Sequence, residues 1–396
     1  MRSILPVSLG LLMLAPFAAR ALTTEKKLAS PALQLPQLSV PANVPLQKVA
    51  ELRMLEPRFA PAAVAHGNFI YIIGGSGRND APLASVERFD VRTGRSEPFT
   101  TLQTPRLWHQ AVLVGDKIYV LGGDSLNGIS PSWPSPSLHG PVSIDADTDE
   151  IGARWAAREW VQFGPTTPYR PFPSSPLLYA SAPQPARPGR NPLSSVEIID
   201  LATGATAAGP ALPKPRTNFA CAAVGRHIFV IGGRTLSAAG PIVSNRVFIL
   251  DTASATWTEG APTPHVRSDA AAAVVSGGFI LVSGGYRRPF ALDAVDVLNP
   301  RTGHWTEIAP LTRPTSAHSL VFFGHQLFLF GDYDNPGELI AYDLNRKTSE
   351  TFTLQYKASR HTAAVVANDQ IFVIGGRTNR YQPPTDLIQV FAPVRS

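Results

Sequence analysis

Short apolar runs that end in a glycine pair recur along the chain: FIYIIGG at 69–75, KIYVLGG at 117–123, HIFVIGG at 227–233, FILVSGG at 279–285 and QIFVIGG at 370–376. A degraded copy, LFLFGD, ends at Gly331-Asp332. Ahead of these runs lie small apolar stretches (APAAVA, HQAVLV, FACAAV, AAAAVV, TAAVVA), joined to them by turns carrying Gly or Asn-Asp, such as His66-Gly67, Gly115-Asp116 and Asn368-Asp369. Behind them lie alternating runs that close on an acid or amide: VERFD at Asp90, VEIID at Asp200, VFILD at Asp251, VDVLN at Asn299 and LIAYD at Asp343. Alternation over four to eight residues between turn signals predicts strands. The unit therefore holds a small inner strand a, a strand b ending in the glycine pair, and a strand c.

A fourth strand follows a hairpin. DVRTG, DLATG and NPRTG place Gly94, Gly204 and Gly303 where the turn wants a left-handed residue, and strand d then carries Trp257 or Trp305 in the better copies. Strand units repeating every ~45 to 50 residues must stack, as a solenoid or a propeller, because one small sheet cannot bury both its faces. The glycine pair after strand b, the aromatic about six residues past strand c, and an arginine leading strand a together resemble the kelch family, over residues 45–392. The resemblance implies an all-β, six-bladed kelch β-propeller occupying residues 45–396. The last blade shows strands a, b and c (362–367, 370–374, 387–391) and then the chain ends, so residues 46–52 are expected to supply its strand d and close the ring. Blade 5 departs from the pattern with Gly331-Asp332, and blades 1, 2 and 6 lack the strand-d tryptophan.

Composition agrees with this class: 31 Gly and 38 Pro among 396 residues, with only 16% charged, suit many short strands and argue against a helical bundle or a disordered chain. Residues 1–21 read as a secretory signal. Arg2 is a positive start, 4–19 is mostly apolar but broken by Pro6 and Pro16, and Ala19-Arg20-Ala21 is a small-x-small cleavage site. Cleavage before Leu22 would make the protein secreted or periplasmic, with residues 22–44 as a flexible leader and no membrane span. Losing Arg2 and Arg20 takes the formal charge from +6 to +4. That is mildly basic and has no Lys/Arg block, so nucleic acid is not an expected partner. The single cysteine, Cys221, lies in an apolar strand and reads as an inert thiol.

Two features suggest a binding face. Arg58, Arg106, Arg216, Arg267 and Arg360 each stand 15 to 17 residues before the first glycine of a pair; in blade 5 the place holds Thr315, with Arg313 two residues earlier. Arginine's planar fork grips a carboxylate and stays charged. Kelch-type substrate adaptors are similar in holding acidic ligands with some of these arginines. The same pattern also fits a structural role, in which each arginine bonds neighbouring carbonyls or the strand-c acid. The second feature is an insertion in the b–c connection of blade 2, residues 124–192. It should emerge on the same face, because alternate connections of an antiparallel blade share a face. Asp147 and Glu150 start a short amphipathic helix there that carries Trp155 and Trp160, with Tyr169, Phe172 and Tyr179 beyond it. These aromatics either bind a sugar or a partner, or fix the helix to the propeller rim.

Metalloprotease, zinc-ribbon, nucleophile-elbow and P-loop motifs are missing from the sequence. His109, His318 and His361 lie near the start of strand a in three blades and would form a metal site only if they gathered at the axis; the expectation is neither metal nor cofactor. A copper-radical oxidase needs a cross-linked Cys-Tyr pair, which Cys221 is poorly placed to give. The chain is also similar to periplasmic sialate mutarotases, which implies an acid and an arginine on the ligand face. Here Arg234 stands where an acid would be wanted, leaving Asp124, Asp332 or Glu159 as substitutes. The leading expectation is a secreted binding module that holds an anionic ligand (a sugar acid, polysaccharide or acidic peptide) through Arg58, Arg106, Arg216, Arg267, Arg360, Arg234, Trp155 and Trp160. The alternatives are a mutarotase-like sugar epimerase and a protein-interaction scaffold.

Overall fold

A computed structural model describes residues 46–126, 190–237 and 240–394. Six four-stranded antiparallel sheets are present among the described residues. In sequence order from strand a to strand d, blade 1 is Ala62–His66, Phe69–Ile73, Leu83–Asp90 and Arg95–Arg106. Blade 2 is Gln110–Val114, Lys117–Leu121, Val196–Asp200 and Thr206–Ala208. Blades 3, 4 and 5 begin at Ala220–Val224, Ala271–Val274 and Ser319–Phe323. Blade 6 takes Ala363–Ala367, Gln370–Ile374 and Leu387–Pro393 from the end of the chain. Its outer strand is Leu46–Arg53, paired antiparallel with Leu387–Pro393 from Leu46 opposite Pro393 to Arg53 opposite Leu387. The ring is thus closed by the first described strand, as the truncated last repeat required.

Successive strands a neighbour one another all the way round, which is why four of them are built mainly from Ala and Val, while blade 2 (QAVLV) and blade 5 (SLVFF) carry bulkier residues. Among the described residues the core consists of six apolar clusters, each drawn from two adjacent blades. A blade therefore buries its faces only through its neighbours. The acid or amide ending strand c accepts bonds from the backbone of its own turn: Arg92 N to Asp90, Ala202 N to Asp200, Ala253 N to Asp251, Arg301 N to Asn299 and Asn345 N to Asp343.

The glycine pair is explained by what stands against it. The amide of its second residue donates to a carbonyl of the next blade: Gly75 to Arg106, Gly123 to Arg216, Gly233 to Arg267, Gly285 to Thr315 and Gly376 to Arg58, each at 2.8 Å. At the first residue φ is positive, and a methyl group on Gly122 would lie 2.6 Å from Arg216 O. A side chain here would have to push two blades apart.

The b–c connections of blades 2, 3 and 4 each form a two-stranded ribbon: Asp124–Leu126 with Arg190–Pro192, Arg234–Ser237 with Gly240–Val243, and Tyr286–Arg287 with Phe290–Ala291. The blade 2 ribbon is the root of the long insertion. The helix expected within that insertion, with Trp155 and Trp160, lies outside the described residues. Among the described residues no helix is long and apolar enough to cross a membrane.

Gly122→Ala is expected to destabilise the fold by more than about 2 kcal/mol, since left-handed strain adds to the clash with Arg216 O. Gly115→Ala has the same backbone strain (φ +59°) but nothing within 4 Å of the new methyl. It should cost only about 1 kcal/mol. Denaturant unfolding of the two variants checks the difference.

Candidate functional site

The chain leading into strand a pairs with the residue just past the glycine pair: Phe59 with Ser76, Leu107 with Asp124, Thr217 with Arg234, Ser268 with Tyr286 and Arg360 with Arg377. These bridges place the a-leaders and the b–c connections on one face, as the strand reversals predict. They also fix the register. One residue ahead of each bridge stand Arg58, Arg106, Arg216 and Arg267, then Thr315 and Ser359 in blades 5 and 6. Arg360 is therefore not a member of the arginine ring. It sits one residue later, its Nη1 donates to Tyr333 O, and its guanidinium lies 3.8 Å from the Tyr333 ring centroid.

The four true ring arginines do not line an open mouth; all are buried. Arg58 Nη1 donates to Gly74 O at 2.7 Å, Arg106 Nη1 to Gly122 O at 2.9 Å and Arg267 Nη1 to Gly284 O at 3.0 Å. Ser359 Oγ donates in the same way to Gly375 O at 3.0 Å, which confirms it as the ring residue of blade 6. Arg58, Arg106 and Arg267 thereby clamp the carbonyl that the left-handed glycine turns inward. Their charges meet the residue three places before the acid or amide that ends strand c: Glu87 for Arg58, Glu197 for Arg106 and Asp296 for Arg267. In blade 3 that place holds Phe248, and the Arg216 guanidinium lies 5.2 Å from its ring centroid. Burial pulls Arg267 down to about 10, which leaves it charged at neutral pH. Of the two readings of these arginines, the structural one describes the four in the ring.

Two further sets of positions lie on the face of the a-leaders and b–c connections. Two residues past each ring residue the backbone is left-handed: Ala60, Trp108, Asn218, Asp269, Ala317 and His361, with φ between 50° and 58°. The twist turns each amide toward the preceding blade. Five bonds run around the axis: Ala60 N to His361 O, His361 N to Ala317 O, Ala317 N to Asp269 O, Asp269 N to Asn218 O and Asn218 N to Trp108 O. The second set follows the glycine pairs and includes Arg234, Tyr286, Tyr333 and Arg377.

Of the predicted arginines, Arg360 meets this mouth at Tyr333 and Arg234 stands in it directly. Its Nη2 donates to Asp269 Oδ2 at 2.7 Å and its Nε to Ser268 Oγ at 3.0 Å, while a third of its side chain stays exposed. Asn218 Nδ2 donates to Asp269 Oδ1 at 2.6 Å, and Ser268 Oγ donates to Oδ2 at 2.7 Å. Burial would raise the Asp269 carboxyl, but Arg234, His361 and these hydrogen bonds hold it below the usual carboxylate value. It is a fixed anion that orients Arg234 and is unsuited to act as a general acid. Across the mouth Arg377 lies 3.8 Å from the Phe59 ring centroid and pairs with Asp80 at 2.9 Å, and Phe59 meets Trp108 and His361 edge to face. Asp332, one of the proposed acid-base substitutes, is buried and accepts the amides of Ser316, Asp334 and Asn335 as a loop staple. Asp124 is also buried, and Glu159 lies outside the described residues.

The three histidines are not brought together. His109 packs beneath Gly74 at the blade 1–2 boundary and His318 beneath Gly284 at the blade 4–5 boundary, in the register that Phe219 fills in blade 3. Burial lowers His109 to about 3 and His318 to about 4, and burial with nearby Arg360, Arg377 and Arg234 lowers His361 to about 4. Elsewhere, the metal-ligand atoms of His265, Asp296 and Glu307 approach one another at the outer part of blade 4. Arg267 is bonded to the same Asp296 oxygen as His265, so a cation there meets an arginine.

These pKa shifts set a pH dependence. Below about 6.5 the unfolded chain protonates its histidines, while folded His109 stays neutral down to about 3. The stability that neutral His109 contributes is therefore present above pH 6.5 and is lost progressively as pH falls from there toward 3. His109→Phe, which copies Phe219, should reduce the loss of stability between pH 7 and 4.5. Urea midpoints measured across that range would show an unchanged slope if His109 were not responsible.

The kelch motif matches residues 57–103, and a KLHDC2/KLHL20/DRC7 Kelch-repeats domain matches residues 191–332. Kelch-like protein 25 of Xenopus tropicalis is 32% identical over 179 residues, covering 42% of this chain and 30% of that protein. Kelch-like protein 34 of Homo sapiens is 25% identical over 265 residues, covering 65% and 33%. Alpha-scruin of Limulus polyphemus is 25% identical over 327 residues, covering 76% and 34%. The chain thus spans about a third of the length of the curated relatives it matches. From its strand order, its interlocked glycine pairs and these matches, the chain is a six-bladed β-propeller of kelch repeats.

Proposed function

We propose that the chain is a protein-interaction propeller that takes an acidic segment of a partner protein on the face bearing Arg234. One observation carries the reading. Large apolar side chains stand exposed on the b–c connections of four consecutive blades: Leu236 (46%), Phe290 (61%), Tyr333 (48%) and Tyr381 (72%). Such side chains beside a polar patch are anchors for a protein surface, spread over more blades than a monosaccharide needs. Charge sets the preferred partner. Arg234 is aimed by Asp269, and the blade 4 ribbon adds Arg287 and Arg288 beside Tyr286. A carboxylate-bearing segment meets cations at the centre and aromatics around them.

The anionic sugar remains as the second reading, because the same arginines would hold its carboxylate. The mutarotase reading has less support, since Asp269 is already paired with Arg234 and Asp332 already accepts three backbone amides. Export through residues 1–21 belongs to the proposal as well. N-terminal sequencing of the protein recovered from a secreting host should begin at Leu22, and an intact Met1 would overturn export.

The binding test uses the full chain and a fluorescein-labelled Glu-Tyr copolymer, followed by anisotropy. Arg234→Ala and Arg288→Ala should each weaken binding about tenfold, the value of one charge-assisted hydrogen bond, with a strong salt dependence. Competition by free sialic or glucuronic acid at millimolar concentration would transfer the site to sugar acids. Binding unchanged in both variants would remove the proposal.

A further inference from the structure

On the opposite face, where the a–b and c–d turns emerge, the repeat has lost a side chain. Trp257 of blade 3 donates its indole N–H to Pro210 O at 3.1 Å and joins Val114 and Ile198 of blade 2 in the boundary core. Trp305 of blade 4 does the same one blade on, bonding Ala261 O at 3.0 Å and joining Val224 and Ile249. Each tryptophan pairs across strands with a leucine, Leu250 opposite Trp257 and Leu298 opposite Trp305. In blade 5 this pair is Tyr342 and Ser349. Tyr342 takes over the bond, its hydroxyl donating to Ala309 O at 2.8 Å, and its ring is buried. It does not cover the surface that an indole covers. Val275 and Val297, the counterparts of Val224 and Ile249, instead line an open cleft of about 450 Å3 with Leu281, Ile308, Phe322 and Leu344.

Other boundaries that lack the tryptophan are filled differently. At the blade 1–2 boundary Phe99 of strand d reaches across to Gly204 and joins the core cluster there. The blade 4 residue nearest that place is Ile308, which is too short to do so. The rim of the cleft is basic. Lys347 and His325 line it, and Arg346 of the same turn lies 3.8 Å from Asp343. The one acid of that turn, Asp343, is bonded by the amides of Asn345 and Arg346, which hold its carboxyl below the usual value. Glu307, next to Ile308 in strand d, approaches His265 instead. An apolar cleft of this volume is large enough for one bulky aromatic group, and its rim favours negative charge beside that group.

We infer that the cleft between blades 4 and 5 receives a tryptophan side chain from an acidic segment of a partner protein, in the place that Trp257 and Trp305 fill internally elsewhere. This site is separate from the Arg234 mouth and does not depend on it.

The probe is the peptide Ac-Glu-Glu-Trp-Glu-Glu-NH2, titrated calorimetrically into the full chain carrying Arg234→Ala and Arg288→Ala, so that the mouth does not contribute. Saturable binding is expected. It should be lost in Tyr342→Leu/Ser349→Trp, which rebuilds the Leu–Trp pair of the neighbouring blades, and independently in Ile308→Phe, which copies Phe99. Both filled variants should melt no lower than the parent. Lys347→Glu should weaken the peptide about tenfold without affecting a Gln-for-Glu version of it. Three results would overturn the proposal: no binding to the parent, binding unchanged in stably folded filled variants, or a concentration-dependent dimer of the parent that the filled variants abolish. The last would assign the cleft to a second copy of the chain.

Discussion

The hydrogen bond from the second glycine of each pair to a carbonyl of the next blade is the constraint on which the remaining architecture depends. For that amide to reach across, the end of strand b must turn left-handed twice, and the neighbouring backbone must approach to where a methyl would sit. Only glycine satisfies both demands without strain. The turn leaves the first glycine's carbonyl pointing into the blade, where it needs a donor. Arg58, Arg106 and Arg267 supply it, and Ser359 does so in blade 6. For these three buried guanidinia strand c provides a counter-charge, at Glu87, Glu197 and Asp296, while Arg216 meets the Phe248 ring. Glycine, arginine and acid are thus consequences of one junction geometry.

The blades that lack part of this set support the same logic. Blades 5 and 6 have Thr315 and Ser359 in place of the arginine, and their strand-c positions hold Ile340 and Gln389, with no acid. In these two blades the cation and its anion are absent together, whereas blade 3 keeps Arg216 with the Phe248 ring in the acid's place. Blade 5 also loses the second glycine. There the Asp332 carboxylate takes the Ser316 amide, and Tyr333 O accepts Arg360. Exchanging one donor for another, rather than leaving a group unmet, is how the ring accommodates irregular repeats.

Strands, glycine pairs, ring closure and the turn-capping acids were all legible in the sequence, because each follows from a local rule repeated in register. The candidate site was much less so. The ring arginines are among the most repetitive charges in the chain, yet repetition marks a structural junction. Arg360 was included because an arginine near the right spacing is conspicuous, although Ser359 sits 16 residues before its glycine, as Arg58 and Arg106 do. The mouth positions escaped notice because Ala60, Trp108, Asn218, Asp269, Ala317 and His361 share no chemistry. What they share is a backbone conformation. Three of the six are Asn, Asp or His, the side chains that best tolerate the left-handed region, so a signal was present in residue type once the register was known.

Positions that the junction constrains must repeat, so they cannot distinguish one kelch propeller from another. Individual chemistry is confined to the slots that the junction leaves unspecified. On one face these are the left-handed residue and the one after the glycine pair, where Asp269 and Arg234 meet. On the other they are the strand-c and strand-d partners that fill a blade boundary, where Leu and Trp give way to Tyr342 and Ser349. The first kind of slot changes what a surface presents and leaves packing untouched. The second removes packing and so exposes apolar surface that water solvates poorly. A departure of the second kind costs stability unless something occupies the space, whereas one of the first kind is nearly neutral. For that reason the missing tryptophan of blade 5 is the more informative of the two irregularities, and the variants that refill its cleft test folding and binding at the same position.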